Sequence, residues 1–274
     1  MGNIYDLCGS AKRINSKSYE LGGFDKVNPP NKYTKLKFKD DSREIARKII
    51  KKYDFKELDL FFLGGTDPVS KFIRCCEGCL YKDAKWSHVG MLISKKYIDL
   101  VNPNDDPEDT MYLWEAIISN DIPFFHPEKV GDADSKQPFF GVQIRNLEDV
   151  ITEYIETDQH MGWGKLKNNP TDVAPWNVMN ITKYMYRKYY HTKFEDDPIE
   201  CCSVFLPCDF KCCHLDPKDT STFCSEFVVR IYQALGVLDK RYDPTKITPE
   251  DFEFPEKSME RIDRVIFDIV ILTP

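Results

Sequence analysis

Apolar residues spaced three and four positions apart predict two amphipathic helices, one in each half of the chain. Residues 42–53 (SREIARKIIKKY) carry isoleucines near this spacing, and Ser42 is the predicted N-cap. Residues 223–235 (FCSEFVVRIYQAL) form the clearest helical pattern, with Ser221 or Thr222 as N-cap and Gly236 just beyond the end. Each helix therefore has an apolar face that can pack against the rest of the fold.

Short apolar runs between turn-forming residues predict the strands of a sheet. The run LDLFFL, residues 58–63, is closed by Gly64 and Gly65 and is predicted to be a buried strand. A helix is predicted to follow, with Pro68 in its first turn and its end near Gly78. Further strands are predicted at His88–Ile93, Tyr112–Ile118, Phe140–Ile144 and Ile262–Leu272. Together they favour a small antiparallel sheet.

Two parts of the chain lie outside this sheet pattern. Residues 1–33 are rich in Gly, Asn, Ser and Lys without a sustained period, which predicts an irregular N-terminal arm. Residues from about 147 to 220 are predicted to form an insertion, with a helix at Leu147–Thr157, a loop, and a second helix at about Pro175–Tyr190. The interpretation is one α+β domain over residues 34–274, preceded by the arm.

Composition and charge narrow the class of protein. Hydrophobic residues make up 42% of the chain and charged residues 30%, which is typical of a globular protein. The formal net charge of -7 is the wrong sign for the positive surface that nucleic-acid binding requires. Nucleic acid is therefore not an expected partner.

The sequence predicts neither a membrane span nor a secretory signal. Its most apolar stretch, Val265–Leu272, is interrupted by Asp268, and the N-terminus lacks the apolar core of a signal peptide. A cytoplasmic protein is the expectation. Gly2 stands as in a myristoylation signal, but Asp6 occupies the place of Ser or Thr, so an ordinary terminus is favoured over a lipid anchor.

The chain has ten cysteines, most of them in two clusters. The first contains Cys75, Cys76 and Cys79, and the second contains Cys201, Cys202, Cys208, Cys212 and Cys213. Without a secretory signal, disulfides are disfavoured. Cys76 and Cys79, with Cys212, Cys213 and His214, are plausible zinc ligands, but their spacing is a poor match to any standard zinc ribbon. Free thiols that pack as small apolar groups are favoured, with a structural zinc as the alternative. We assign no metal and no cofactor.

Cys224 is the cysteine whose position favours a nucleophile. It lies in the first turn of the predicted helix, where unpaired backbone N–H groups and the helix dipole stabilise a thiolate. A buried structural thiol on the apolar face is the alternative, but neighbours such as Phe227 and Ile231 already supply that face. A lowered thiol pKa at Cys224 is the resulting hypothesis.

A nucleophilic cysteine needs a base, and His88 is the best candidate among five histidines. It opens an apolar strand, so its side chain can face a cleft at the strand end. Glu115 lies in the next predicted strand between apolar residues, where an acid needs a partner, and a histidine would supply one. The alternatives are a core histidine bonded to backbone and a glutamate facing solvent. The other histidines, His126, His160, His191 and His214, have surface or metal-binding interpretations.

Six sequence strings, taken in order, resemble one family of hydrolases. They are LDLFFLGG, WSHVGM, YLWEA, FFGVQIRNL, FCSEFVVRIYQALG and ITPEDF. Their order resembles the circularly permuted branch of the NlpC-type papain-like hydrolases, in which the cysteine helix follows the sheet. That branch includes poxviral and other large-virus members, bacterial relatives and, more distantly, the lecithin retinol acyltransferases. The resemblance covers residues 58–145 and 220–254, and it leaves the insertion and Cys75–Cys79 without a counterpart.

This resemblance implies a permuted papain-like fold, in which a small, barrel-like antiparallel sheet packs on the nucleophile helix beside a helical insertion. It implies that Cys224 is the nucleophile, His88 the base and Glu115 the group that orients the base. The implied activity is a hydrolase or acyltransferase that acts on an amide, ester or thioester bond of a peptide, lipid or other acyl substrate. The alternative is a non-catalytic, virion-associated interaction protein that keeps the fold and uses zinc for stability.

Overall fold

The structure is a computed structural model, and it describes residues 40–65, 70, 73–74, 84–100, 106–117, 132–134, 141–190, 192–194, 221–253 and 267–272. These residues belong to one compact unit, Leu36–Pro274. Three sequence predictions fall on residues outside these ranges: the N-terminal arm, most of the helix after Gly65, and the two cysteine clusters.

A mixed sheet of eight strands forms the centre of the fold. The strands are β1 (Leu60–Gly64), β2 (His88–Ser94), β3 (Met111–Ile117), β4 (Gly141–Asn146), β5 (His160–Leu166), β6 (Lys193–Phe194), β7 (Ser221–Thr222) and β8 (Phe267–Leu272). Their order across the sheet is β7-β6-β4-β3-β2-β1-β5-β8. Six strands, from β4 to β8, are antiparallel, and the two-residue strands β6 and β7 extend the β4 edge, where β7 runs parallel to β6.

Helices cover both faces of this sheet. They are α1 (Asp40–Lys52), α2 (Leu147–Glu156), α3 (Pro175–Tyr189), α4 (Cys224–Ala234) and the short α5 (Pro249–Glu253). One apolar core joins α3, α4 and α5 to one face, and a second core joins α1 and α2 to the other. None of the helices in the described part of the chain is long and apolar enough to cross a membrane.

Alternation along the strands divides the side chains between the two cores. In β3, for example, Trp114 lies in the core with α4, whereas Leu113 lies in the core with α1 and α2. In β2, Met91 and Leu92 divide in the same way. Glu115 alternates with Trp114, so it shares the α2 face with Leu113.

The predicted α+β class is confirmed, and the predicted helices and strands that fall on described residues are found, with some ends displaced by a few residues. The helix predicted from Leu147 is α2, whose first N–H groups are capped by the Asn146 side chain. The strand predicted at the C-terminal end is β8, which pairs with β5.

Both predicted N-caps were wrong. Helix α1 begins at Asp40, so Ser42 lies inside its first turn. Helix α4 has Phe223 at the N-cap position, because Ser221 and Thr222 are extended in β7 and pair with β6. The Phe223 N–H donates instead to the Glu226 carboxylate at 3.2 Å, so a side chain inside the helix satisfies the first amide.

The loop predicted between Thr157 and Pro175 was also wrong over part of its length. Residues His160–Leu166 form β5, which pairs with β1 on one side and β8 on the other. Gly162 has a packing role there, since a Cβ at this position would lie 2.6 Å from the Trp86 ring. Gly162 therefore makes room for an aromatic core residue and does not end the strand. This part of the predicted insertion contributes a strand to the central sheet.

Candidate active site

Cys224 is the first residue of α4 and carries a free, buried thiol. The helix is anchored by Phe227, Val228 and Ile231, which are fully buried in the core between α4 and the sheet. At the other end of the helix, the Tyr232 hydroxyl donates to the Leu58 carbonyl at 2.5 Å, just before β1. The sulfur is therefore held at a defined place where the N-terminus of α4 meets the sheet.

His88 is the first residue of β2, and the residues before it are tightly bound. The Ser87 N–H donates to the Leu63 carbonyl at 3.1 Å, and the Ser87 hydroxyl accepts from the Gly65 N–H at 3.0 Å. These bonds tie the start of β2 to the end of β1. The His88 side chain is only 13% exposed, so little of the ring is open to solvent.

Two carboxylates of α5 fix the same segment from the other side. Glu250 accepts from the backbone N–H groups of Lys85 and Trp86, the second at 2.7 Å. Glu253 accepts from the Trp86 indole N–H at 2.5 Å and pairs with the Lys85 ammonium at 2.8 Å. The string ITPEDF, residues 247–252, thus contributes to the position of His88 although it is remote in sequence.

Glu115, on β3, links His88 on β2 to Arg145 on β4. It is fully buried, and its Oε2 lies 2.6 Å from Nε2 of His88. Its other oxygen, Oε1, accepts from Nε of Arg145 on β4. Because Nε2 of His88 is engaged by Glu115, Nδ1 is the ring nitrogen left for the hydrogen bond between His88 and Cys224.

Gly90 provides the space that this arrangement needs. A Cβ at Gly90 would lie 2.6 Å from Cδ1 of Leu113 and 3.0 Å from Cβ of Glu115. Any larger residue would push the glutamate away from its position beside His88. The glycine in the string SHVGM is therefore part of the site geometry.

Replacing Gly90 with Ala is expected to displace Leu113 and Glu115 and to weaken the contact between Glu115 and His88. We expect a loss of stability of about 1–3 kcal/mol from overpacking and a several-fold loss of Cys224 alkylation rate at about pH 6. Thermal unfolding and iodoacetamide kinetics measure the two effects. Ala46→Val, which overpacks a fully buried position in α1, is the control for stability alone. A folded Gly90→Ala protein with wild-type alkylation would contradict this role.

The thiol of Cys224 has a lowered pKa although it is buried. Burial raises the pKa of a thiol, because the thiolate loses its hydration. The charge of His88 and its hydrogen bond to the sulfur lower the pKa, and together with two backbone N–H groups they outweigh burial. These N–H groups belong to Val89 and Ser225. The site therefore favours the thiolate.

The pKa values of His88 and Glu115 are shifted in the directions that a thiolate at Cys224 requires. Burial lowers the pKa of His88, but the Cys224 thiolate and the Glu115 carboxylate outweigh it and raise this pKa to about 10. Burial raises the pKa of Glu115, but Arg145 and His88 outweigh it, so this pKa falls below its usual value. The result is a buried thiolate–imidazolium pair backed by an ionised carboxylate.

The structure thus brings together Cys224, His88 and Glu115, the three residues singled out in the sequence. His160 lies on β5 and is exposed, whereas His126, His191 and His214 are outside the described residues. Sequence reasoning missed Arg145 and the amides of Val89 and Ser225. Arg145 could have been recognised as the single cation in the strand GVQIRN, which pairs with the strand that carries Glu115.

Comparison with known proteins identifies no relative of this chain. No protein-family model, no curated protein and no solved structure matches the chain.

Proposed function

We propose that this chain is a cysteine-dependent hydrolase or acyltransferase that acts on an amide, ester or thioester bond through Cys224, His88 and Glu115. The observation that carries the proposal is that one histidine contacts both a helix-start cysteine and a buried carboxylate. This is the arrangement of nucleophile, base and orienting group that covalent acyl transfer requires. The acyl substrate would belong to a peptide, a lipid or another acyl compound.

In the first half of the reaction, the Cys224 thiolate attacks the acyl carbon and forms a C–S bond. Negative charge moves to the carbonyl oxygen, and the Cys224 backbone N–H in the first turn of α4 is the expected donor to that oxygen. His88 then gives its proton to the leaving amine, alcohol or thiol as the bond from carbon to the leaving group breaks. A thioester on Cys224 and a neutral His88 remain.

In the second half, neutral His88 accepts a proton from water or from another acceptor as that molecule attacks the thioester. The C–S bond breaks, and the thiolate–imidazolium pair is restored. Throughout both steps, Glu115 holds the ring by accepting a hydrogen bond from Nε2, which keeps Nδ1 directed at the sulfur. Water as acceptor makes the protein a hydrolase, and another nucleophile makes it a transferase.

The order of the site residues along the chain supports a permuted papain-like fold within this proposal. The base on β2 and the orienting carboxylate on β3 precede the nucleophile on α4. An antiparallel sheet packed on the nucleophile helix is the core that such a fold requires. The strand β5 and the helices α1 and α2 would then be additions that cover the second face of the sheet.

The dependence of Cys224 alkylation on pH tests the proposal. The lowered pKa of Cys224 and the raised pKa of His88 predict a thiolate–imidazolium pair that forms below the ordinary thiol range of about pH 8.5. The iodoacetamide rate at Cys224 should therefore level off at a lower pH than the rate of an ordinary thiol does, and change again only near pH 10, where His88 loses its proton.

Peptide mapping by mass spectrometry assigns the rate to Cys224 among the ten cysteines, and N-acetylcysteine is the reference for an ordinary thiol. A Cys224 that titrates like the reference, or that does not react, would overturn the enzymatic proposal. The non-catalytic interaction protein would then be the better interpretation.

A further inference from the structure

Arg145 extends the line of polar contacts across three neighbouring strands. His88 lies on β2, Glu115 on β3 and Arg145 on β4, and each contacts the next. In the sheet, Arg145 stands opposite Leu113, two residues from Glu115 and on the same face. The guanidinium and the imidazole therefore bind different oxygens of one carboxylate, so Glu115 cannot turn without losing a partner.

The guanidinium is held at its far end by α2. Nη1 of Arg145 lies 3.9 Å from Oε2 of Glu153, whose side chain is only 6% exposed. The arginine side chain is fully buried. Its position is therefore set by a carboxylate on each side and by the packing of α2 on the sheet.

A gain in folding stability alone does not explain why a charged arginine is buried at this position. Two charges lose their hydration on burial, and well-packed apolar residues commonly stabilise a core as well as an ion pair does. The same face of the sheet already contains Leu113 and residues of α2 such as Val150, so an apolar side chain at position 145 could pack against them. A buried Arg–Glu pair next to a candidate catalytic histidine instead indicates a role in setting the charge of the glutamate.

The charge of Glu115 decides which ring nitrogen of His88 carries the proton. An ionised carboxylate accepts from Nε2–H, so Nδ1 is free to take the proton of the Cys224 thiol. A protonated carboxyl group would donate to Nε2, and the neutral ring would then carry its proton on Nδ1. In that tautomer the histidine cannot accept the thiol proton. Without a nearby cation, burial favours the protonated carboxyl group.

We propose that Arg145 is a positioning residue of the active site, which acts through Glu115 by keeping that carboxylate ionised and aimed at Nε2 of His88. This inference rests on the proposed function, because it assigns Arg145 a part in forming the Cys224 thiolate. It predicts that the effect of Arg145 on the cysteine disappears when Glu115 no longer carries a charge.

The test measures the pH dependence of Cys224 alkylation in Arg145→Met, Glu115→Gln and the double variant. Arg145→Met should lower the rate at about pH 6 by roughly 10-fold or more and shift its rise to higher pH, since the thiolate fraction falls tenfold per pKa unit. Adding Arg145→Met to Glu115→Gln should change the rate by less than about twofold, because the pathway through Glu115 is already interrupted.

Asp59→Asn, at the residue just before β1, is the matched control for loss of a buried acidic group away from the site. Asp59 is fully buried and accepts from the Trp163 indole N–H at 2.8 Å and from the Leu166 N–H at 2.9 Å. Its replacement should lower thermal stability and leave the alkylation profile of Cys224 unchanged. Arg145→Lys should recover part of the lost rate, because it restores the charge without the planar guanidinium.

Two results would overturn the role of Arg145. One is a folded Arg145→Met protein with the wild-type alkylation profile. The other is an equal loss of rate from Arg145→Met in the wild-type and Glu115→Gln backgrounds, which would show a structural effect independent of Glu115. If Arg145→Met does not fold, the double variant, which removes both buried charges, is compared with Glu115→Gln alone, and a loss of rate of more than about twofold between them would overturn the role. An ordinary titration of Cys224 in the wild type is a separate result, and it would overturn the proposed function itself.

Discussion

Cys224→Ala is expected to abolish acyl transfer while the protein stays folded. The substitution removes the proposed nucleophile that forms the thioester, so the rate should fall by roughly 10⁴-fold or more, to background. A panel of activated esters, thioesters and aryl amides provides the substrates for this measurement. Intact-mass spectrometry should show an added acyl group on the wild-type protein and none on the variant.

Two comparisons distinguish the loss of the nucleophile from a loss of folded structure. Circular dichroism and thermal unfolding should show a folded variant, because Ala fills most of the space of a small buried side chain. Cys8→Ala, which removes a thiol from the predicted N-terminal arm, should retain wild-type turnover. A Cys224→Ala protein that turns over the substrates at the wild-type rate would exclude Cys224 as the nucleophile.

His88→Gln is expected to return Cys224 to an ordinary or raised thiol pKa. The substitution removes the cation that does most to offset burial, whereas the glutamine amide can still donate to Glu115. At about pH 6 an ordinary thiol near pKa 8.5 is less than about 1% ionised, so alkylation of Cys224 should fall several-fold, and by up to about 100-fold, towards the rate of such a thiol. Turnover of acyl substrates should fall with it, since the base and the proton donor are the same residue.

His160→Gln is the matched control for this variant. His160 opens β5 as His88 opens β2, but it is exposed and β1 separates it from β2. Its replacement should leave both alkylation and turnover at wild-type levels. If His88→Gln retained fast alkylation of Cys224 below neutral pH, another group would have to supply the charge, and the proposed pairing would be wrong.

The three site residues could be predicted because each lies in an element with a strong local pattern. Cys224 begins a helix whose apolar spacing is clear, and His88 and Glu115 lie in short strands bounded by turn residues. Arg145 could not be assigned a role in the same way. Its contact with Glu115 depends on the register between β3 and β4, and a shift of one residue would place it on the opposite face.

The errors in the predicted fold have a common cause, which is that local signals were outweighed by packing. The two glycines beside Trp163 favoured a loop, yet Gly162 is needed for the close approach of Trp86. Ser221 and Thr222 favoured a cap for α4, yet they pair with β6 in the sheet. In both cases the deciding partner is far away in sequence, so no short window contains the information.

The wide separation of the site residues along the chain has a consequence for the newly made protein. Synthesis on the ribosome proceeds from the N-terminus, so His88, Glu115 and Arg145 all emerge before Cys224. At about 5–20 residues per second, the nascent chain carries the base and its partners for on the order of ten seconds before the nucleophile appears. Partly synthesised chains are therefore chemically inert at this site, and reactivity begins only when α4 docks on a sheet whose charges are already in place.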